Sequence, residues 1–147
     1  MRIIAFDPGE STGFCGIRAN NKHVTVFTQG ELSLAEFNAG TVHFMLQKHA
    51  PDAVVIEGVV ATGRLNQAKF NQIRAFDRAQ NGAASYLNQG SIAIMPPETR
   101  KHHQVNVPDS VSGSHARDAY RIGVAFLIKK GKVIIEQPDT KSEKDSE

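Results

Sequence analysis

Two apolar runs in this chain each end in a carboxylate, and glycine follows each within two residues. Ile3-Ile4-Ala5-Phe6 runs into Asp7-Pro8-Gly9, and Ala53-Val54-Val55-Ile56 runs into Glu57-Gly58. A short unbroken apolar run reads as a strand buried on both faces, as in the interior of a parallel sheet. Side chains alternate between the two faces, so Asp7 shares a face with Ile3 and Ala5, and Glu57 with Ala53 and Val55. If the strands are parallel neighbours joined by a helical crossover, both acids emerge at one carboxyl edge. Open α/β sheets place their ligand sites at that edge. A buried charge without a partner is costly, so acids at such points call for a counter-charge. Asp7 by itself reads equally well as a residue capping the Pro8-Gly9 turn.

The remaining pattern completes an α/β domain. Thr12–Ala19 and Lys22–Gln29 flank Asn20-Asn21, a pair that tolerates positive φ, and a tight hairpin is predicted. Ser33 and Glu36 have the spacing of a capping box. A helix is predicted to follow to about Lys48, burying Leu34, Phe37, Thr41, Phe44 and Met45, until His49-Ala50-Pro51 ends it. His43 and His49 read as solvent-facing. Residues 58–66 read as a loop. A long helix is predicted over Gln67–Asn88 with Ala68, Ile73, Phe76, Ala79, Ala83 and Leu87 as its core stripe. Phe70 lies off that stripe and is a candidate subunit contact. Ser91–Met95 is a fifth strand, stopped by Pro96-Pro97.

Residues 98–114 show no apolar periodicity and carry Arg100, Lys101, His102 and His103. They read as a basic connection, and the adjacent histidines lack the spacing of a zinc site. The last helix is predicted from Ser114, as N-cap, to Gly131, with Ala119, Ile122 and Phe126 on one face. His115 and Asp118 are three apart and share a face. The helix dipole accounts for Asp118 alone, but not for its coincidence with Asp7 and Glu57. Val133–Ile135 reads as a terminal strand or a hydrophobic tie-down. One domain is expected over residues 1–135, followed by an acidic tail, 136–147, expected to be disordered.

Composition narrows the setting. The formal net charge is +2. The tail holds five acids against two lysines, which leaves +5 on residues 1–135. A basic body suits a polyanionic partner. No run approaches a membrane span and Met1-Arg2 leads straight into a strand, so neither a membrane partner nor a signal peptide is expected. The lone Cys15, beside Phe14 and Ile17, reads as a small core residue of a reduced, cytoplasmic protein.

The predicted order is thus β-β-β-α-β-α-β-α, with acids at the ends of the first and fourth strands and in the last helix. Three carboxylates and an imidazole at one sheet edge make an oxygen-rich site for hard divalent cations. Two such ions, roughly 4 Å apart, can clamp the attacking water and the leaving oxygen of a phosphodiester. No nucleophile elbow, Walker loop, CxxC or dinucleotide fingerprint competes, and no nucleotide cofactor is expected.

At FDPGESTGFCGI, VVIEG (54–58) and HARDAYRIG (115–123) the chain resembles the RuvC-type Holliday-junction resolvases of the RNase H-like superfamily. The resemblance spans nearly the whole of residues 1–135, with the motifs in order. It implies an α/β, RNase H-like fold with a five-stranded mixed sheet flanked by helices. It also implies Asp7, Glu57, His115 and Asp118 as metal-binding catalytic residues, Mg²⁺ or Mn²⁺ as cofactor, and a homodimer acting on branched DNA. The products would carry 5′-phosphate and 3′-hydroxyl ends. Arg100 and Lys101 fall where the family has a basic segment, and Arg64, Lys69 and Arg117 are further cations expected against DNA. Val60 stands near where many members carry an aromatic that enters the junction, and the 98–114 connection is short. Both departures point to relaxed cutting of junctions, forks and flaps, in an enzyme as small as a bacteriophage member. Two alternatives use the same residues: an RNA-processing nuclease of the superfamily, and a non-catalytic nucleic-acid-binding module. A sugar-kinase or actin-like ATPase needs two such domains, and 147 residues provide one.

Overall fold

The computed structural model describes residues 1–20, 23–60, 63–97 and 105–133. Five strands form one sheet: β1 (Arg2–Asp7), β2 (Ser11–Asn20), β3 (His23–Ser33), β4 (Ala53–Glu57) and β5 (Ile92–Met95). Their spatial order is β3-β2-β1-β4-β5. β1 is antiparallel to β2 and parallel to β4, and β4 is parallel to β5. The two unbroken apolar runs are therefore central parallel neighbours, and Ile3 to Phe6 and Val54 to Ile56 are fully buried. Each large side chain among them contributes about 1.5–3 kcal/mol.

Helices cover both faces. α1 (Ala39–His49) and α2 (Gln67–Ala84) pack on the side of Ile4, Phe6, Val54 and Ile56. α3 (Ser114–Lys129) packs on the side of Ile3, Ala5, Cys15, Ile17 and Val55. This is the mixed, helix-flanked sheet expected from the sequence. Cys15 is wholly buried, and burial pushes its thiol pKa up to about 12. It is an inert core residue at neutral pH.

Several predicted boundaries move, each for a local reason. The Ser33/Glu36 box forms its reciprocal bonds: Ser33 N–H donates to Glu36 Oε1 at 3.1 Å and Glu36 N–H to Ser33 Oγ at 3.3 Å. It closes only a turn, because the Arg78 guanidinium takes the carbonyls of Leu34 and Phe37 that a continuing helix would use. α1 starts later, capped by Asn38, whose side chain accepts from Thr41 N–H. Its core face becomes Val42, Met45 and Leu46. Phe44, predicted to be buried, lies on the opposite side and is 66% exposed.

Regular helix in α2 stops at Ala84, where Ser85 Oγ donates to Gly82 O. Its buried stripe is Asn71, Ala75, Ala79 and Ala83, and Ala68 is exposed. Phe70 is exposed, as expected. α3 ends at Lys129. There Gly131, at φ 70°, closes the helix with Gly131 N–H donating to Ile128 O and Lys132 N–H to Leu127 O. Val133 is buried against the α3 side of the core, so the tie-down reading holds for it. Ile134, Ile135 and the acidic tail lie outside the described residues.

β3 runs four residues beyond its predicted end, and its register carries a bulge. Ile17 pairs with Val26 but Gly16 with Thr28, so Phe27 is the extra residue. Beyond the bulge Gly13 pairs with Glu31 on one side, and on the other with Asp7. Phe6 pairs with Ile56, and Glu57 pairs with Met95. One row thus crosses the sheet: Glu31, Gly13, Asp7, Glu57, Met95. The start of α3 rests on its glycine. A Cβ on Gly13 would lie 2.0 Å from the His115 carbonyl oxygen, within the helix backbone. Gly13→Ala must lift α3, and we expect a loss of about 1–3 kcal/mol or more in urea unfolding. Gly90→Ala, with open space around it, should stay within about 0.5 kcal/mol of the parent. Equal stability of the two variants would show that α3 does not need the Gly13 seat.

Candidate active site

The row places Asp7 and Glu57 side by side at the carboxyl ends of β1 and β4. They are 8% and 4% exposed. The turn after Asp7 is fixed from two sides. Thr12, buried, shares hydrogen bonds with the Gly9 backbone at 3.3 Å. Asn71 of α2 donates from Nδ2 to Glu10 Oε2 at 3.2 Å and accepts from Gln67 Nε2 at 2.9 Å. The chain after Glu57 is held by Gly58 N–H donating to Met95 O at 2.7 Å, and by Lys69 Nζ donating to Val60 O at 3.0 Å.

α3 delivers the remaining candidates. His115 Nδ1 stands 3.4 Å from Asp7 Oδ2, which unites two sequence-predicted residues 108 positions apart. Asp118, one turn along, pairs with Arg121 Nη1 at 2.8 Å. Both groups are partly exposed, and such a pair contributes well under about 1 kcal/mol, so Arg121 can yield Asp118 to another cation. Arg121 was not among the predicted site residues, although its i,i+3 spacing from Asp118 is visible in the sequence. Glu31 was also missed. Its Oε2 accepts from His115 N–H at 2.8 Å and Ala116 N–H at 3.2 Å.

The cations expected against DNA separate into groups. Arg64 is exposed near the loop that follows Glu57. Lys69 is committed to Val60 O and, at 3.4 Å, to Gln72 Oε1. Arg117 donates to Val111 O at 3.0 Å and Pro108 O at 3.3 Å, tying the preceding connection to α3. Arg100, Lys101 and the His102-His103 pair lie outside the described residues.

Among the described residues no group of three or more His, Cys, Asp or Glu side chains is arranged to hold a metal ion. Asp118 turns towards Arg121, which accounts for part of this. The donor chemistry at the row nevertheless fits a hard cation. Asp7 and Glu57 offer carboxylate oxygens from two adjacent rigid strands, and Mg²⁺ is commonly held by one or two carboxylates with water and substrate phosphate completing its shell. A cation there also offsets two like charges held at low exposure. We therefore expect Mg²⁺ or Mn²⁺ to raise the melting temperature of the native protein, with about 2.7 kcal/mol of stabilisation at a hundredfold excess over Kd. Asp7→Asn and Glu57→Gln should each remove most of that shift in a thermal melt with and without EDTA. A shift that survives both substitutions would place the ion elsewhere.

No family model matches this sequence, and no curated protein matches it. The fold does have counterparts among solved structures. The Thermus thermophilus RuvC structure superposes with a TM-score of 0.69 at 16% identity, covering 90% of this chain and 98% of that one. The same protein in complex with a Holliday junction substrate gives 0.70 at 16% identity, over 90% and 97%. The fowlpox virus Holliday junction resolvase gives 0.55 at 8% identity, over 88% and 99%. The chain therefore has the RuvC/RNase H-like fold that the sequence resemblance implied.

Proposed function

We propose that this protein is a metal-dependent, structure-selective endonuclease that hydrolyses phosphodiesters in branched DNA. The observation that carries the reading is the pair of nine-tenths-buried carboxylates at adjacent parallel strand ends, with His115 brought to Asp7 by α3. The fold likeness agrees with it, since two of the similar structures are named as Holliday junction resolvases or hold junction DNA. Asp7 and Glu57 would hold Mg²⁺ or Mn²⁺, with His115 and Asp118 completing the set. The ion would supply charge neutralisation at the scissile phosphate and activation of water. The sequence resemblance adds 5′-phosphate and 3′-hydroxyl ends on the products to this reading.

The chain's own residues do the positioning. Asp7 and Glu57 sit on strands that cannot shift without opening the core. His115 is oriented against Asp7. Val60, in the chain that follows Glu57, is 45% exposed and has no aromatic face. Stacking of a base on an aromatic contributes about 1–3 kcal/mol, and Val60 offers none, so we propose relaxed selectivity among four-way junctions, three-way junctions, forks and flaps. Arg64 and the basic Arg100-Lys101 stretch would contact phosphates. A homodimer, with exposed Phe70 at or near its interface, would set two sites about a two-fold axis for paired cuts. We propose the cytoplasm of a bacterial or phage-infected cell as its setting.

Single-turnover cleavage of labelled branched DNA, duplex, single-stranded DNA and structured RNA in Mg²⁺ tests the reading. Comparable cutting near the branch of each branched substrate is expected, with rates falling as salt rises. Asp7→Asn should abolish cleavage while leaving junction binding largely intact, and near-parent cutting by that variant would sink the assignment. Imidazole suits Mg²⁺ poorly, so His115→Asp should favour Mg²⁺ over Mn²⁺. An unchanged metal preference would remove His115 from the ligand set.

A further inference from the structure

We propose that Glu31 is a positioning residue of this site: from β3 it seats the first turn of α3 and thereby sets where His115 and Asp118 stand relative to Asp7. The inference rests on the nuclease reading above and adds a residue that is neither a candidate ligand nor a DNA contact.

The N-cap of α3 is Gly113, at φ 91°, and it has no side chain to cap the helix. The first N–H groups of a helix need acceptors, and an N-cap side chain ordinarily serves the second and third helical residues. Glu31 Oε2 takes that part from another element, accepting from His115 N–H at 2.8 Å and Ala116 N–H at 3.2 Å. A carboxylate bound there also meets the positive end of the helix dipole. The glycine makes room for it, since a Cβ on Gly113 would lie 2.5 Å from Glu31 Oε2. Two further contacts complete a three-point seat. Gly13, opposite Glu31 in the register, admits the His115 carbonyl at a distance no other residue allows. Asp7, on the other side of Gly13, meets the His115 side chain at 3.4 Å. His115 is thus gripped by its amide, its carbonyl and its ring, all from one row of the sheet. Removing Glu31 frees the amide end, and the ring swings with it. A displacement of about 1 Å at a reacting centre can lower a rate by about 100-fold.

Three full-length variants separate seating from charge. Glu31→Gln keeps the reach and an oxygen acceptor but loses the charge. Glu31→Asp keeps the charge but loses the reach. Glu31→Ala loses both. Two measurements are made on each: the ¹H–¹³C signals of the His115 ring, read without DNA or metal, and the single-turnover rate on a four-way junction alongside junction affinity by anisotropy. Seating predicts native-like His115 ring signals and most of the parent rate for Glu31→Gln. For Glu31→Asp and Glu31→Ala it predicts shifted ring signals and rates lower by about 10- to 100-fold, with affinity little changed. Retention by Glu31→Asp with loss by Glu31→Gln would overturn the proposal in favour of a charge role, as would parent-like rings and rates in all three. If Glu31→Ala fails to fold, the Gln and Asp pair still decides. If the parent protein cuts no substrate, the nuclease reading fails, and the ring signals alone decide whether Glu31 seats His115.

Discussion

Two carboxylates held side by side at the ends of adjacent parallel strands dominate the physics of this molecule. Strands lie about 4.8 Å apart. The apolar runs behind Asp7 and Glu57 leave the acids no way to retreat, because moving either strand would open a core that excludes water from Ile3 to Phe6 and from Val54 to Ile56. A fold that tolerates this arrangement needs cationic or hydrogen-bonding company at that edge. The proposed site for a hard cation and a phosphate rests on this arrangement.

α3 brings His115 to Asp7, and the sheet is shaped to receive it. The Phe27 bulge moves the register of β3 by one residue, so that Glu31 and not Gly30 lies opposite Gly13. A one-residue slip would turn Glu31 to the other face. Phe27 itself is held under the Arg2 guanidinium, 4.0 Å from its ring. A local distortion midway along the hairpin thus decides which side chain reaches the helix. Gly13 then allows an approach between backbones that fixes the height of α3 over the row, and Thr12 and Asn71 hold the turn on which Asp7 ends.

What could be read from the sequence follows the same logic. The central strands were legible because unbroken apolar runs have few other uses, and the two acids because a carboxylate ending such a run conflicts with burial. The placement of His115 and Asp118 on the last helix was legible, although there His115 meets Asp7 and Asp118 turns to Arg121. The start of α1 was not, because the Ser33/Glu36 bonds form as the motif says while Arg78, 42 residues beyond Glu36, takes carbonyls that a continuing helix would use. Glu31 was hidden for a related reason. Its role depends on a bulge and a helix N-cap 82 residues away, and Gly30 before it reads as the end of a strand. The orientation of Asp118 towards Arg121 belongs to the same class, being a choice among rotamers that spacing permits without selecting.

The central claim is that the row through Asp7 and Glu57 is a divalent-cation site completed from α3. Anomalous diffraction from crystals soaked in Mn²⁺ tests it most directly. The account predicts an anomalous peak at the Asp7 and Glu57 carboxylates. A peak bound elsewhere on the chain, or none at the row at saturating Mn²⁺, would contradict it.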